Sequence, residues 1–310
     1  MSLRHIVVPS WPRTKPPKFP TYNLATRLQS RLQQSLLAWK ALPKSVQEES
    51  APPSPTLISF TPAPTYTLGR RQTEPLSATE LARLKAPLHH SSSPTIGGGD
   101  GGEPGSENFI FTPEVLHAPR GGLATYHGPG QVVLWPVIDL RSPLHAHFTV
   151  RDYTCLLEKT TIATLRRLYQ IEGFTTENPG VWVRLHAEGR GEEEHKISAL
   201  GVHLRRHVTG LGVAINVQMP VEDAEITNPW RRIVACGLDD KRVTNVENAA
   251  ARMVDQQQIA PVWAEEFAAR LKVHGRGTEP GNAGVEEDAW ERWEKELDCV
   301  DADYVKGQPD

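Results

Sequence analysis

Cys236 stands in the stretch "RRIVACGLDDKRV", between an apolar run and a glycine. A thiol at such a corner can be reached by a substrate. Only its thiolate is a strong nucleophile, and a free thiol of pKa ~8.5 is mostly protonated at neutral pH. Nucleophilic chemistry at Cys236 therefore needs a base. Lys196 heads "KISALG", where the following residues are small and apolar. A desolvated lysine loses its proton more readily and can act as that base. Read singly, each residue has an ordinary alternative: a small buried hydrophobe for Cys236, a solvated side chain for Lys196. A third candidate is His127, in the stretch "RGGLATYHGPGQVVLWPVIDL" that runs from Arg120 to Leu140. Glycine lets a ligand approach the main chain and proline fixes turns, so this segment reads as a loop shaped around something. The histidine pairs 145/147 and 203/207 have no nearby cysteine or carboxylate to complete a metal set, and no metal is expected.

The elements that must position these groups follow from periodicity. Leu24, Leu28, Leu32 and Leu36 form an i,i+4 stripe, which predicts a helix over Tyr22–Leu42 ended by Pro43. Pro52–Pro55 reads as a linker, with short strands at Thr56–Phe60 and Tyr66–Arg70. Ser77 with Glu80 predicts a capping box, and the helix it opens ends before Pro87. His89–Ser106, "HHSSSPTIGGGDGGEPGS", is of low complexity, and its glycines lack the G-K-[ST] of a phosphate loop. Val132–Leu140 reads as a buried strand. Asp152 is placed as the cap of a helix presenting Tyr153, Leu156, Leu157, Leu165 and Leu168. Val181–Leu185 alternates as a strand, Glu188–His195 reads as a charged loop, and Lys196–Leu204 with Val208–Val217 reads as a hairpin. Arg232–Ala235 is expected to be a short strand leading into Cys236. Thr244 with Glu247 suggests a second capping box, and Pro261 opens a helix with Phe267 and Leu271 inward. The sequence from Gly275 is polar and acidic.

Composition sets bounds. The 310 residues carry a net charge of −3, which gives no global nucleic-acid signal, and no apolar run approaches the ~20 residues of a membrane span. The three cysteines, Cys155, Cys236 and Cys299, are widely spaced and contain no C-x-x-C, which argues against a disulfide framework and a cysteine-based zinc site. The first 47 residues hold eight Lys/Arg and no acidic residue, the composition of an organelle transit peptide or of a basic first helix.

Five motifs then occur in one order: "YTLGRR" at Tyr66–Arg71, the Arg120–Leu140 stretch, "NPGVWV" at Asn178–Val183, "KISALGVHLRRHVTGLGVAINV" and "IVACGLDDKRVTNV". This series resembles the lipoyl(octanoyl) transferase family over roughly Tyr22 to Leu271. The resemblance implies a single α/β domain, a mixed sheet flanked by helices, of the biotin/lipoate protein ligase kind (class II synthetase-like). It carries the family's nucleophile onto Cys236 and its activating lysine onto Lys196. The acyl-pocket segments fall on Arg120, Gly121, Gly122, Leu123, Ala124, Thr125, Tyr126 and His127. Two further segments fall on Ala199, Leu200 and Gly201, and on Gly212, Val213 and Ala214. Ala235 and Asn245 depart from the family's usual proline and serine.

The reaction implied moves an octanoyl group from acyl-carrier protein through a thioester on Cys236 to the lysine of a lipoyl domain or glycine-cleavage H protein. It uses no cofactor and no ATP, with no nucleic acid or membrane span involved, and a eukaryotic member would work in mitochondria. The rival readings are an ATP-dependent lipoate or biotin ligase, and a non-catalytic module that binds lipoyl domains or carrier proteins. The organisation expected is a transit segment at 1–20 and a catalytic domain at 21–272. That domain carries a disordered insertion at 88–107 and a charged loop at 188–195, and an acidic tail fills 273–310.

Overall fold

The computed structural model describes residues 2–10, 17–91, 108–187, 191–222, 224–233, 242–272 and 274–275. Ser2–Val7 forms strand β1. Thr21 accepts the Leu24 N–H and opens helix α1, Tyr22–Ala41, which buries Leu24, Leu28 and Leu36 as the stripe predicts. A short helix α2, Lys44–Glu49, has no buried residue and no sequence signal marked it. Strands β2 (Thr56–Phe60) and β3 (Thr65–Leu68) follow. Helix α3, Ala78–Lys85, opens on the Ser77/Glu80 capping box. Leu88–Ser91 (β4) pairs with Asn108–Phe111 (β5). The first four residues of the expected insertion at 88–107 are therefore an ordered strand, while 92–107 lie outside the described residues.

Strands β6 (Glu114–His117), β7 (Ala124–His127) and β8 (Gln131–Val137) lead to helix α4, Val150–Tyr169. Its cap is Thr149, with Asp152 as the returning carboxylate of a capping box, so the helix starts before the expected cap. Strands β9 (Gly180–Ala187), β10 (Gly191–Arg205) and β11 (Val208–Asn216) come next. Glu192, Glu193 and Glu194 pair with His186, Leu185 and Arg184, so most of the expected charged loop is instead the outer part of a β9–β10 hairpin. Pro229–Arg232 is a single 3-10 turn, not the start of the expected strand. The chain resumes with β12 (Arg242–Val243), helix α5 (Val246–Ala250), helix α6 (Ile259–Leu271) and β13 (His274–Gly275). Asn245, not Thr244, caps α5 by accepting the Asn248 N–H at 2.7 Å. The acidic tail from 276 lies outside the described residues.

Among the described residues the main sheet has eight strands, in the order β12-β10-β11-β8-β2-β1-β13, with β9 on the outer side of β10. Parallel and antiparallel pairs mix, as expected for this fold class. Helices α4 and α6 cover one face over Leu57, Leu134, Val213 and Ile215, and α1 covers the other over Ile58, Trp135 and Ala214. This is the helix-flanked mixed sheet that the motifs imply.

Within the possible transit segment at 1–20, β1 lies inside the sheet, parallel to β2 with Arg4 opposite Thr56, and Leu3 and Val8 are buried. His5 is buried as well, its Nε2 2.8 Å from Ser59 Oγ, and burial holds its imidazole down at about 4. Deleting residues 1–9 should therefore remove a strand between β2 and β13 and lower the melting temperature clearly. A truncated chain that melts with the full one would return these residues to a dispensable leader.

Candidate active site

Lys196 owes its direction to a defect in β10. The β9–β10 register shifts by one residue between Lys196 and Ser198. In a regular strand, side chains two residues apart share a face, and a one-residue slip inverts the assignment. Leu200 and Val202 pack on the α4 side of the sheet, so an unbroken alternation would send Lys196 there too. The bulge lets Ile197 take the core position instead, and Lys196 comes to the face of Ala199 and Gly201. Only 7% of Lys196 is exposed. Its Nζ lies 5.1 Å from the centroid of the Trp182 ring, and its Cε occupies the space a side chain at Gly180 would fill. Gly180 sits at φ +126°, a conformation open to glycine. Glu158, buried on α4, accepts the Gly180 N–H at 3.0 Å. Burial raises the Glu158 pKa, against the pull of that N–H and of Lys196.

The glycine-rich loop is held by its own arginine. The Arg120 guanidinium is buried and donates to Thr67 Oγ1, Gly121 O and Leu123 O at 2.9–3.2 Å, and to Thr67 O at 2.5 Å. Backbone bonds complete a zipper: Gly69 N–H to Leu123 O, Arg70 N–H to Arg120 O and Arg71 N–H to Gly122 O. Gly201 carries no side chain because the Arg120 stem lies there, 2.9 Å from where a Cβ would stand. The "YTLGRR" and "RGG" motifs are thus two halves of one structure.

A buried polar chain joins this loop to the lysine strand. His127 Nδ1 lies 2.9 Å from Gln131 Oε1, and Gln131 Nε2 donates to Asn216 Oδ1 at 2.9 Å. An amide that donates to Asn216 presents its oxygen to His127, so Nδ1 carries the proton and Nε2 keeps its lone pair. Burial holds this imidazole down at about 4, and it is neutral. Asn216 Nδ2 donates to Thr244 O at 3.0 Å, and the Thr244 N–H donates to Lys196 O at 3.0 Å. The Tyr22 ring of α1 stacks on His127 at 5.4 Å. Thr125 Oγ1 and Thr244 Oγ1 are buried with no hydrogen-bond partner among the described residues. Such orphaned hydroxyls are costly unless a ligand satisfies them.

The structure divides the expected site residues. Lys196, Ala199, Gly201, Arg120 and His127 gather on the α1 side of the sheet, and Ala214 lies opposite Ala199. Gly121, Gly122 and Leu123 form the zippered loop beside them, and Ala124 and Thr125 begin β7. Leu200 and Val213 alternate to the α4 side and fill core, and Tyr126 packs against Tyr66 and Trp230 in a third cluster. Gly212 has Leu134 O 2.2 Å from its missing Cβ, so it serves close strand approach. Cys236 lies outside the described residues. The described chain stops at Ile233 and resumes at Arg242, opposite His195, with Val243 opposite Lys196. Sequence reasoning missed Gln131, Asn216, Trp182 and Glu158. Only the position of Gln131 after G-P-G hinted at one of them.

Geometry and fold define a class: a helix-flanked mixed sheet with a buried lysine on the face that carries a glycine-rich loop. Residues 111–268, just over half of the chain, match the family model described as the lipoyl protein ligase A/B catalytic domain. A Schizosaccharomyces pombe protein named "Probable octanoyltransferase" is 32% identical over 235 residues, covering 76% of this chain and 84% of that one. The Saccharomyces cerevisiae "Octanoyltransferase, mitochondrial" is 26% identical over 231 residues, covering 71% and 61%. An archaeal lipoate protein ligase from Thermoplasma acidophilum shares the fold, with a TM-score of 0.51 at 16% identity over 96% of this chain and 92% of that one. The chain belongs to the octanoyltransferase family and is a transferase enzyme. No helix among the described residues is long and apolar enough to cross a membrane.

Proposed function

We propose that the protein transfers an octanoyl group from an acyl-carrier-protein thioester to the lysine amine of a lipoyl-domain protein, through a thioester on Cys236. The observation that carries this reading is Lys196: a lysine buried to 7% exposure, aimed by a bulge at the face of the glycine-rich loop. Two further supports are the relatives named octanoyltransferase and the pairing of Val243 with Lys196, seven residues after Cys236.

The chemistry balances without ATP. Lys196 is the base that takes the thiol proton. The Cys236 thiolate attacks the donor carbonyl, the donor C–S bond breaks, and the carrier thiol leaves with a proton. One thioester replaces another at little thermodynamic cost. The acceptor amine then attacks the acyl carbon, gives up a proton and forms an amide, and Cys236 recovers its thiol. The amide is the more stable product, so the second half runs downhill. Arg120 spends its donors inside the protein, so we assign it to ordering the loop, with the acyl chain lying along Ala199 and Ala214. About seven buried methylenes contribute roughly 5–6 kcal/mol gross at ~0.8 kcal/mol each, enough to favour a medium chain over a short one.

A mitochondrial site of action is proposed from the yeast relatives so named and from the acid-free, basic first 47 residues. The domain is proposed to run from β1 to about residue 275, with the acidic segment beyond it as an appendage.

Intact-protein mass spectrometry after mixing with octanoyl-carrier protein should show one octanoyl adduct, mapped to Cys236. It should be absent from Cys236→Ala and be discharged by a lipoyl domain. An adduct at Cys155 or Cys299, or turnover that needs ATP and free octanoate and survives Cys236→Ala, sinks the reading.

A further inference from the structure

We propose that Arg70, Arg71, Arg205 and Arg206, with His203 among them, form the docking surface for the acyl donor, a carrier protein with an acidic face. This rests on the acyl-transfer reading above. All four arginines are exposed, and none is ion-paired or hydrogen-bonded through its side chain among the described residues. They cluster in a chain whose net charge is −3, against the overall balance. His203 and Arg205 alternate on one face of β10, two and four residues beyond Gly201. The Arg120 stem crosses Gly201, and Arg70 and Arg71 are bonded to the main chain of that same loop. Burial, with the positive charge of Arg70 and Arg205 beside it, holds the His203 imidazole below the usual range.

Such a cluster opposes folding by self-repulsion, and no acidic side chain among the described residues pairs with it. The hairpin tip adds a second cost. Arg206 and His207 both sit at positive φ, +50° and +70°. A two-residue turn of this kind favours Asn and Gly. Charge is kept here where an uncharged turn would be easier to build.

Position favours the donor over the acceptor. The cluster flanks the loop assigned to the acyl chain. His203 lies seven residues beyond Lys196 along β10, roughly 20 Å at ~3.3 Å per residue. A partner seated on the arginines must deliver its reacting group on a long arm, as a carrier protein does. An acceptor lysine, with a four-carbon stem, does not cross that gap from the same seat.

The test compares two donors in single-turnover acylation of Cys236: octanoyl-carrier protein, and the small uncharged octanoyl thioester of N-acetylcysteamine. Arg205→Glu combined with Arg206→Glu should lower the apparent second-order rate from the carrier protein by about tenfold or more. Wild-type acylation from that donor should slow as salt rises, and the variant should lose most of this dependence. Acylation from the small thioester should stay within about twofold of wild type, since rim charges act on protein encounter and not on chemistry. Equal losses with both donors, no loss with either, or a loss confined to transfer onto a lipoyl domain each overturn the assignment. Should the charge reversal fail to fold, Arg205→Ala with Arg206→Ala is read in the same assay with the same outcomes. A wild type that forms no adduct from either donor removes the acyl-transfer reading itself, and this surface's role with it.

Discussion

Replacing Lys196 with methionine should slow acyl-adduct formation at Cys236 by roughly 10²–10⁴-fold, the range that a positioned general base supplies. Methionine fills the space of the lysine stem against Gly180 and Trp182 and brings no proton acceptor. Its melting temperature should therefore stay near that of the parent, which separates loss of chemistry from loss of fold. Lys196→Arg is the sharper variant. It keeps a positive charge near the Trp182 face but stays protonated at any working pH. If Lys196 accepts the thiol proton, arginine should be as inactive as methionine. An arginine variant that retains turnover would show that a fixed positive charge is what the site needs, and the base would have to be found elsewhere.

The sequence located Lys196 but had no means of aiming it. Its placement at the head of a strand is legible because the apolar run begins there. Its face is not, because a bulge is set by how two strands meet, and Ser198 opposite Val181 leaves no periodic trace. The same limit explains why Leu200 and Val213 were grouped with the pocket. A motif quotes consecutive residues, while a strand sends alternate ones to opposite faces. The polar chain from His127 to Lys196 was beyond reach for another reason. Gln131 and Asn216 are 85 residues apart, and neither amide looks unusual where it stands.

The helices were more legible, because a 3.6-residue stripe and a capping pair are local. The predicted α1 stripe and the Ser77/Glu80 box recur in the structure. The caps of α4 and α5 were misplaced by only a few residues, since Thr149 and Asp152, or Thr244 and Asn245, offer competing side-chain oxygens. Charge misled the reading at β10. The run of glutamates after residue 191 reads as a loop and is a strand, one that lies on the outer part of its hairpin where apolar alternation is not required.

Arg120→Ala should have the largest effect on the fold of the loop and a matching effect on function. The guanidinium ties Thr67 on β3 to the carbonyls of Gly121 and Leu123, so one side chain closes a loop in which Gly122 sits at φ +81°. Hydrogen bonds to a charged group contribute about 1.5–3 kcal/mol each, and truncation removes all of those the guanidinium makes to Thr67, Gly121 and Leu123. A destabilisation of about 3 kcal/mol or more is expected, read as a lower denaturant midpoint with an unchanged slope. Arg120→Lys should rescue little, because an ammonium cannot present the planar fork that reaches both Thr67 and the loop carbonyls. The stem also matters: it is what Gly201 makes room for, so alanine leaves a gap beside the strand that bears Lys196. Acylation should fall with longer chains losing more than short ones, since the loop is assigned to the alkyl chain and not to the thiol. If Arg120→Ala keeps its stability and its preference for octanoyl over butanoyl thioesters, the loop is not the acyl-binding element, and the small-residue pair Ala199 and Ala214 must define chain length by themselves.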